Sequence, residues 1–165
     1  MSVHALDNTS FGFPTGCFVC DPENPNGLRI GFFHDDEAGT VSADFTFDED
    51  FSGAPRFVHG GVVFTLLDEA MAWATIAVAK QFAVVKETRA TFRRPVQVGQ
   101  PHHVEAEITD QNGKDIEASA LVVDAKGRRC AQATANFVVL SERMARAAIG
   151  TDVGGNAGYL RGGTS

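Results

Sequence analysis

Cysteine is scarce in this chain: Cys17, Cys20 and Cys130 are the only three in 165 residues. So sparse and odd a set cannot build a disulfide framework and points to a reducing compartment. Positive charge is short too. Fourteen Lys and Arg stand against 21 Asp and Glu, for a formal net charge of −7. That argues against a nucleic-acid partner, which needs a basic stripe to displace counterions. Anionic substrates remain open, because a local Arg or Lys cluster works against an acidic background. Met1 to Asp7 lacks a basic stretch leading into an apolar run, so no signal peptide is expected and the cytoplasm is the expected location. The longest apolar stretch, 60–79, holds Asp68 and Glu69 near its middle. Two adjacent carboxylates at that depth are costly in lipid, so the stretch reads as a buried helix and no membrane partner is expected.

What is present fits one domain with a real core, at 44% hydrophobic residues. Residues 1–27 are punctuated by glycine and proline and read as an irregular N-terminal segment. Strands are expected over 28–33 and 40–47, followed by a loop at 48–57. Residues 60–80 lack proline, are rich in Ala, Leu and Met, and are apolar around most of their circumference. Such a helix must be wrapped by other elements. Period-two alternation then marks strands near 83–96, 103–110, 115–124 and 128–140. Asn112-Gly113 signals a hairpin, because it tolerates the positive φ of a type I′ turn, and 124–127 reads as the next hairpin loop. The pattern is an α+β domain over 28–140: two strands, one buried helix, and an antiparallel meander of four strands. A short helix and a loose Gly-rich tail are expected over 141–165.

The informative segment is His59-Gly60-Gly61 leading into the helix, with Asp68 two turns on. First-turn N–H groups of a helix lack intrahelical partners and carry partial positive charge. Glycine lets a substrate come close to them, which makes an oxyanion hole for a carbonyl under attack. A carboxylate near that carbonyl can activate water or attack carbon itself. Gly60 and Asp68 are separated by roughly 12 Å along a helix axis at about 1.5 Å per residue. One chain therefore cannot bring both to one carbonyl, and the spacing asks for two helices side by side in a homodimer.

This segment resembles the hotdog-fold thioesterases of the phenylacetate-pathway (PaaI-like) group and the 4-hydroxybenzoyl-CoA thioesterases. Their His-Gly-Gly is followed by an acid nine residues after the histidine, the spacing of His59 to Asp68. Phe92-Arg93-Arg94-Pro95 and the strand order also fit. Cys17-Phe18-Val19-Cys20 with Asn24-Pro25-Asn26-Gly27-Leu28 is similar to a bacterial subgroup, and the likeness spans about residues 15–140. It implies a hotdog fold, one long central helix wrapped by an antiparallel sheet, in an acyl-CoA thioesterase. It further implies that Gly60 N–H meets the thioester oxygen, that Asp68 of the partner subunit is nucleophile or general base, and that His59 braces the loop. Gly61 and Val85 would line the substrate site. The chain departs from the family at Gly53 and Val85, where many relatives carry polar residues.

Plainer roles stand beside these. Gly60 and Gly61 would equally suit a tight helix start, and Asp68 an ion pair with arginine. Glu69 points about 100° away from Asp68 and reads as structural, with a role as base in reserve. Arg93, Arg94 and Lys86 suit CoA phosphates or solvent alike. Cys17 and Cys20 fall short of four zinc ligands, so no metal and no cofactor are expected. The alternatives to hydrolysis are a non-catalytic acyl-CoA-binding protein and a hydratase. The assembly is a homodimer or a dimer of dimers.

Overall fold

The computed structural model describes residues 2–8, 13 and 15–150. Its centre is α1 (Gly60–Ala77), lying across a seven-stranded antiparallel sheet. Chain order gives β1 (Val3–Leu6), β2 (Phe32–Asp35), β3 (Thr40–Phe45) and a small hairpin of β4 (Ser52–Ala54) and β5 (Phe57–Val58). After α1 come β6 (Ala83–Phe92), β7 (His102–Asn112), β8 (Asp115–Asp124), β9 (Arg129–Val139) and α2 (Glu142–Ile149). The expected α+β architecture, one long helix wrapped by one antiparallel sheet, is what forms.

The helix seats where it does because the strands beneath it are lined with small side chains. Ala106 on β7 pairs with Ala120 on β8, which pairs with Ala133 on β9, which pairs with Ala90 on β6. This cross-strand row of alanines leaves a shallow trough. Leu66, Leu67, Ala70, Met71 and Ala74 of α1 are fully buried in the same core. Leu66 and Leu67 are adjacent and both inaccessible, which is the wrapping that an all-round apolar helix requires. Its length and hydropathy would suit a membrane span, yet here it is the core helix.

Several expectations need correction. The segment 1–27 is not wholly irregular, since β1 pairs with β2 from Val3↔Asp35 to Leu6↔Phe32. The strand expected over 28–33 starts at Phe32, because Arg29 takes a left-handed φ of 54° and breaks extension. The four last strands do not form a simple meander: the sheet order is β1-β2-β3-β7-β8-β9-β6. β6 pairs with β9 and not with β7, so it lies at the edge of the sheet. The connection through Pro95, Gly99 and Pro101 cannot continue a ladder and carries the chain across instead. Helix α1 also stops three residues before Lys80, where a φ of 58° ends it and Gln81 N–H closes onto Thr75 C=O at 2.9 Å. The expected hairpin forms, but its two-residue loop is Gly113-Lys114 between the paired Asn112 and Asp115. Only Gly113 takes a positive φ, of 61°, so it is not the type I′ turn expected with Asn112 in the left-handed region. The tail from 151 onward lies outside the described residues.

Candidate active site and a neighbouring thiol cluster

His59 caps α1. Its Nδ1 accepts the Gly61 N–H at 2.9 Å, while its carbonyl accepts the N–H of Val62 at 2.9 Å and of Val63 at 3.2 Å. Three first-turn donors are thereby satisfied. The Gly60 N–H has no acceptor among the described residues, and a Cβ placed on Gly60 would meet nothing within 4 Å. Neither packing nor a positive φ explains glycine at this exposed position. Without a side chain, the position leaves room for close approach by another molecule.

The loop holding His59 is fixed from both sides. His59 N–H donates to Phe51 C=O at 2.8 Å, and Val58 N–H to Val96 C=O at 2.9 Å. Val98 N–H reaches Arg56 C=O at 3.0 Å, so the chain leaving β6 runs beside the loop that enters α1. Gly53 has its own reason to be small. A Cβ there would lie 3.1 Å from His59 Cα and 3.2 Å from its Cδ2. Its departure from the family pattern makes room for the capping histidine.

Asp68 is half-buried on α1 and has no hydrogen-bond or ion-pair partner among the described residues. Burial alone pushes its carboxyl above the usual aspartate range. An ion pair of Asp68 with arginine is therefore not made among the described residues.

Val85 is 45% exposed on β6, beside a bulge between Val85 and Glu87. Arg93 and Arg94 are exposed where β6 ends, their N–H groups donating to Cys130 C=O at 2.8 and 3.0 Å. Arg94 also lines a groove of about 470 Å³ with Gln97, His102, Lys126 and Arg128. No hydrogen bond or ion pair among the described residues joins Val85, Arg93 or Arg94 to Asp68 within one chain.

One cluster escaped the sequence reading. Cys17 Sγ donates to Glu69 Oε1 at 3.2 Å, across 52 residues of sequence. Asn8 donates to Cys20 Sγ at 3.3 Å. Cys17, Cys20 and Glu69 line a cavity of about 260 Å³ with Asn8, Trp73 and Phe82. Burial first, then the neighbouring Cys17, pushes Glu69 up to about 8. Hydrogen bonds from the Cys20 thiol and from the Cys20 and Val19 N–H groups hold Cys17 down at about 5, and Cys20 is raised in return. The only advance signal was a Cys-x-x-Cys pair and a second acid on the helix.

The helix laid across an antiparallel sheet, with a glycine N–H open at its first turn, defines a hotdog-fold protein. The model of the thioesterase superfamily matches residues 56–131, from the loop before α1 into β9. Over that stretch, a little under half of its length, the chain is similar to that superfamily. Several solved structures share the fold. A thioesterase-superfamily protein superposes with a TM-score of 0.67 at 24% identity, over 71% of this chain and 57% of that one, so little more than half of that relative's length is matched. The PaaI protein of the E. coli phenylacetic acid degradation operon gives 0.59 at 20% identity, over 62% of this chain and 74% of its own. A Streptococcus mutans protein solved with acetyl-CoA gives 0.59 at 19%, over 62% and 82%. A Saccharolobus solfataricus protein bearing an unproven esterase designation is 28% identical over 107 residues, 64% of this chain and 71% of its own.

Proposed function

We propose that this protein hydrolyses an acyl-CoA to free CoA and a carboxylic acid, at a site shared between two subunits. The observation that carries the reading is the Gly60 N–H, left open at the N-terminus of α1 by a histidine cap that occupies its neighbour. A thioester carbonyl accepts from that N–H, and the helix dipole stabilises the charge that develops on its oxygen. Asp68 of the partner subunit takes a proton from water, whose oxygen attacks the carbonyl carbon, or attacks that carbon directly. Where water attacks, the tetrahedral intermediate collapses to the carboxylic acid and the CoA thiolate, which takes the proton that Asp68 had accepted. Where Asp68 attacks, collapse leaves an acyl–Asp68 anhydride and the thiolate is protonated from solvent. Water then hydrolyses the anhydride to the acid and the free carboxylate.

The second subunit is required by the roughly 12 Å between Gly60 and Asp68 along one helix. It is also invited by β6. That edge strand is exposed along most of its length and shows Val84, Val85 and Phe92 to solvent. An exposed edge with unpaired backbone groups is a template for another strand, here with charged Lys86, Glu87 and Arg89 among its apolar residues. Pairing of two such edges gives the homodimer, or the building block of a dimer of dimers. Gly61 and Val85 then lie at the substrate's acyl side, and Arg93 and Arg94, with Lys126 across the groove, receive the CoA phosphates. A chain with three unpaired thiols acting on CoA esters suits the cytoplasm. The structure bound to acetyl-CoA among the relatives supports the choice of CoA esters.

The test is thiol release from a panel of acyl-CoAs, with wild type and Asp68→Asn side by side. Turnover by wild type that the variant lacks supports both reaction and carboxylate. Binding without thiol release by wild type overturns hydrolysis in favour of an acyl-CoA-binding role.

A further inference from the structure

The hydrolysis leaves the Cys17-Cys20-Glu69 cluster without employment. Its three candidate donor atoms lie within 4.8 Å of one another, and among the described residues no other group of three His, Cys, Asp or Glu side chains does the same. Donors about 2.0–2.3 Å from a common tetrahedral centre are themselves some 3–4 Å apart, and Cys17 Sγ to Glu69 Oε1 is already 3.2 Å. We propose that Cys17, Cys20 and Glu69 bind one zinc ion, with water or a small exogenous ligand completing the coordination.

The surroundings are built for thiolates. Val19 N–H and Cys20 N–H both donate to Cys17 Sγ, at 3.4 and 3.5 Å, so the turn between the two cysteines wraps its own backbone donors around the first sulfur. Asn8 does the same for Cys20 from another part of the chain. Such outer hydrogen bonds orient metal ligands and offset their charge. The turn itself is pinned, with Leu28 N–H on Phe18 C=O and Ile30 N–H on Val19 C=O, both at 2.8 Å. The third ligand comes from the middle of the rigid core helix. The cavity beside the cluster has room for a fourth ligand, and Trp73, which lines it, carries a buried indole N–H without an acceptor among the described residues. A ligand on the metal supplies that acceptor. Carboxylate and thiolate together suit zinc over the harder magnesium or calcium. The bound ion ties the 15–30 loop to α1 beside Asp68 and releases the protons its ligands held.

The experiment uses the full chain, reduced and stripped by a chelator, titrated with Co²⁺ and then displaced by Zn²⁺. Thiolate-to-cobalt charge transfer and intense tetrahedral visible bands should appear at one equivalent and vanish on adding Zn²⁺. Zinc at a hundredfold excess over its Kd should raise Tm by roughly 5–10 °C. Cys17→Ser and Cys20→Ser should abolish the bands, while Cys130→Ser, which alters the remaining cysteine, should keep them. Glu69→Gln should weaken binding at least about 10-fold, and it tests the site even if the serine variants fold poorly. Absence of thiolate bands in reduced wild type overturns the proposal, as do bands that persist in Cys17→Ser or affinity unchanged in Glu69→Gln. A Cys17–Cys20 disulfide in a chain that binds no cobalt would make the pair a redox couple instead.

Discussion

Asp68 and Glu69 are neighbours on one helix and serve two different regions. Glu69 meets its partners within its own chain: Cys17 at 3.2 Å, Cys20 within the same cluster, and a cavity closed by the N-terminal segment. Asp68 meets none. The helix N-terminus is in the same condition as Asp68, capped by His59 yet open at Gly60. One side of α1 is thus finished by the fold, while the other carries the open groups on which the proposed shared site rests. A rotation of about 100° between consecutive residues is enough to separate the two.

The sharpest way to break this contrast is to neutralise each acid in turn. Asp68→Asn should lower kcat by roughly 10³-fold, within the range for a positioned acid–base group. Glu69→Gln should lower it less than about tenfold while weakening metal binding, and equal losses in the two variants would erase the distinction. Gly60→Pro comes next. Gly60 is the first residue of α1, where proline costs no helical hydrogen bond, and the extended backbone of His59 at ψ 132° accepts a following proline. Only the open N–H is removed. Activity should fall about 10²-fold with the fold kept by circular dichroism, whereas full activity would show that the carbonyl is held elsewhere. A smaller effect is due at Gly53→Ala, whose new Cβ would press on His59 Cα. A loss of about 1–3 kcal/mol in denaturant unfolding is expected, and an unchanged midpoint would mean that the capping loop yields freely.

The two regions were unequally legible in the sequence. The half-site around His59, Gly60 and Asp68 was visible because its parts lie within ten residues, and a helix converts spacing into position. The hairpin between β7 and β8 was legible for the same local reason, though its loop sits one residue later than the Asn112-Gly113 pair that signalled it. The cluster was not, because Cys17 and Glu69 meet only through folding of a segment with little periodicity. The edge position of β6 was misread likewise: alternation reports that a strand exists, while its neighbour is chosen by a connection with two prolines. Gly53 looked like a missing polar group until its contact with His59 gave it a steric role. β1 was overlooked because four residues ahead of a glycine-punctuated stretch carry too little pattern.

The smallest effect expected separates helix from sheet by the sign of its pH dependence. On α1, burial raises both Asp68 and Glu69, the latter to about 8. The folded chain therefore holds these protons more readily than the unfolded one, and acidification through that range favours folding. On β2, His34 is buried and paired in register with His4. Burial lowers its affinity for a proton, as do Lys80 and His4, against the opposing pull of Asp36 and Asp35. The unfolded imidazole then takes up a proton first. Stability from this residue is complete above the unfolded value near 6.5 and is lost as pH falls toward the lower folded value. His34→Gln should therefore show a smaller drop in Tm than wild type between about pH 7.5 and 5.5, the two pH dependences becoming parallel above about pH 7. A larger drop in the variant would mean that His34 is protonated in the folded chain, and that the sheet shares the sign of the helix.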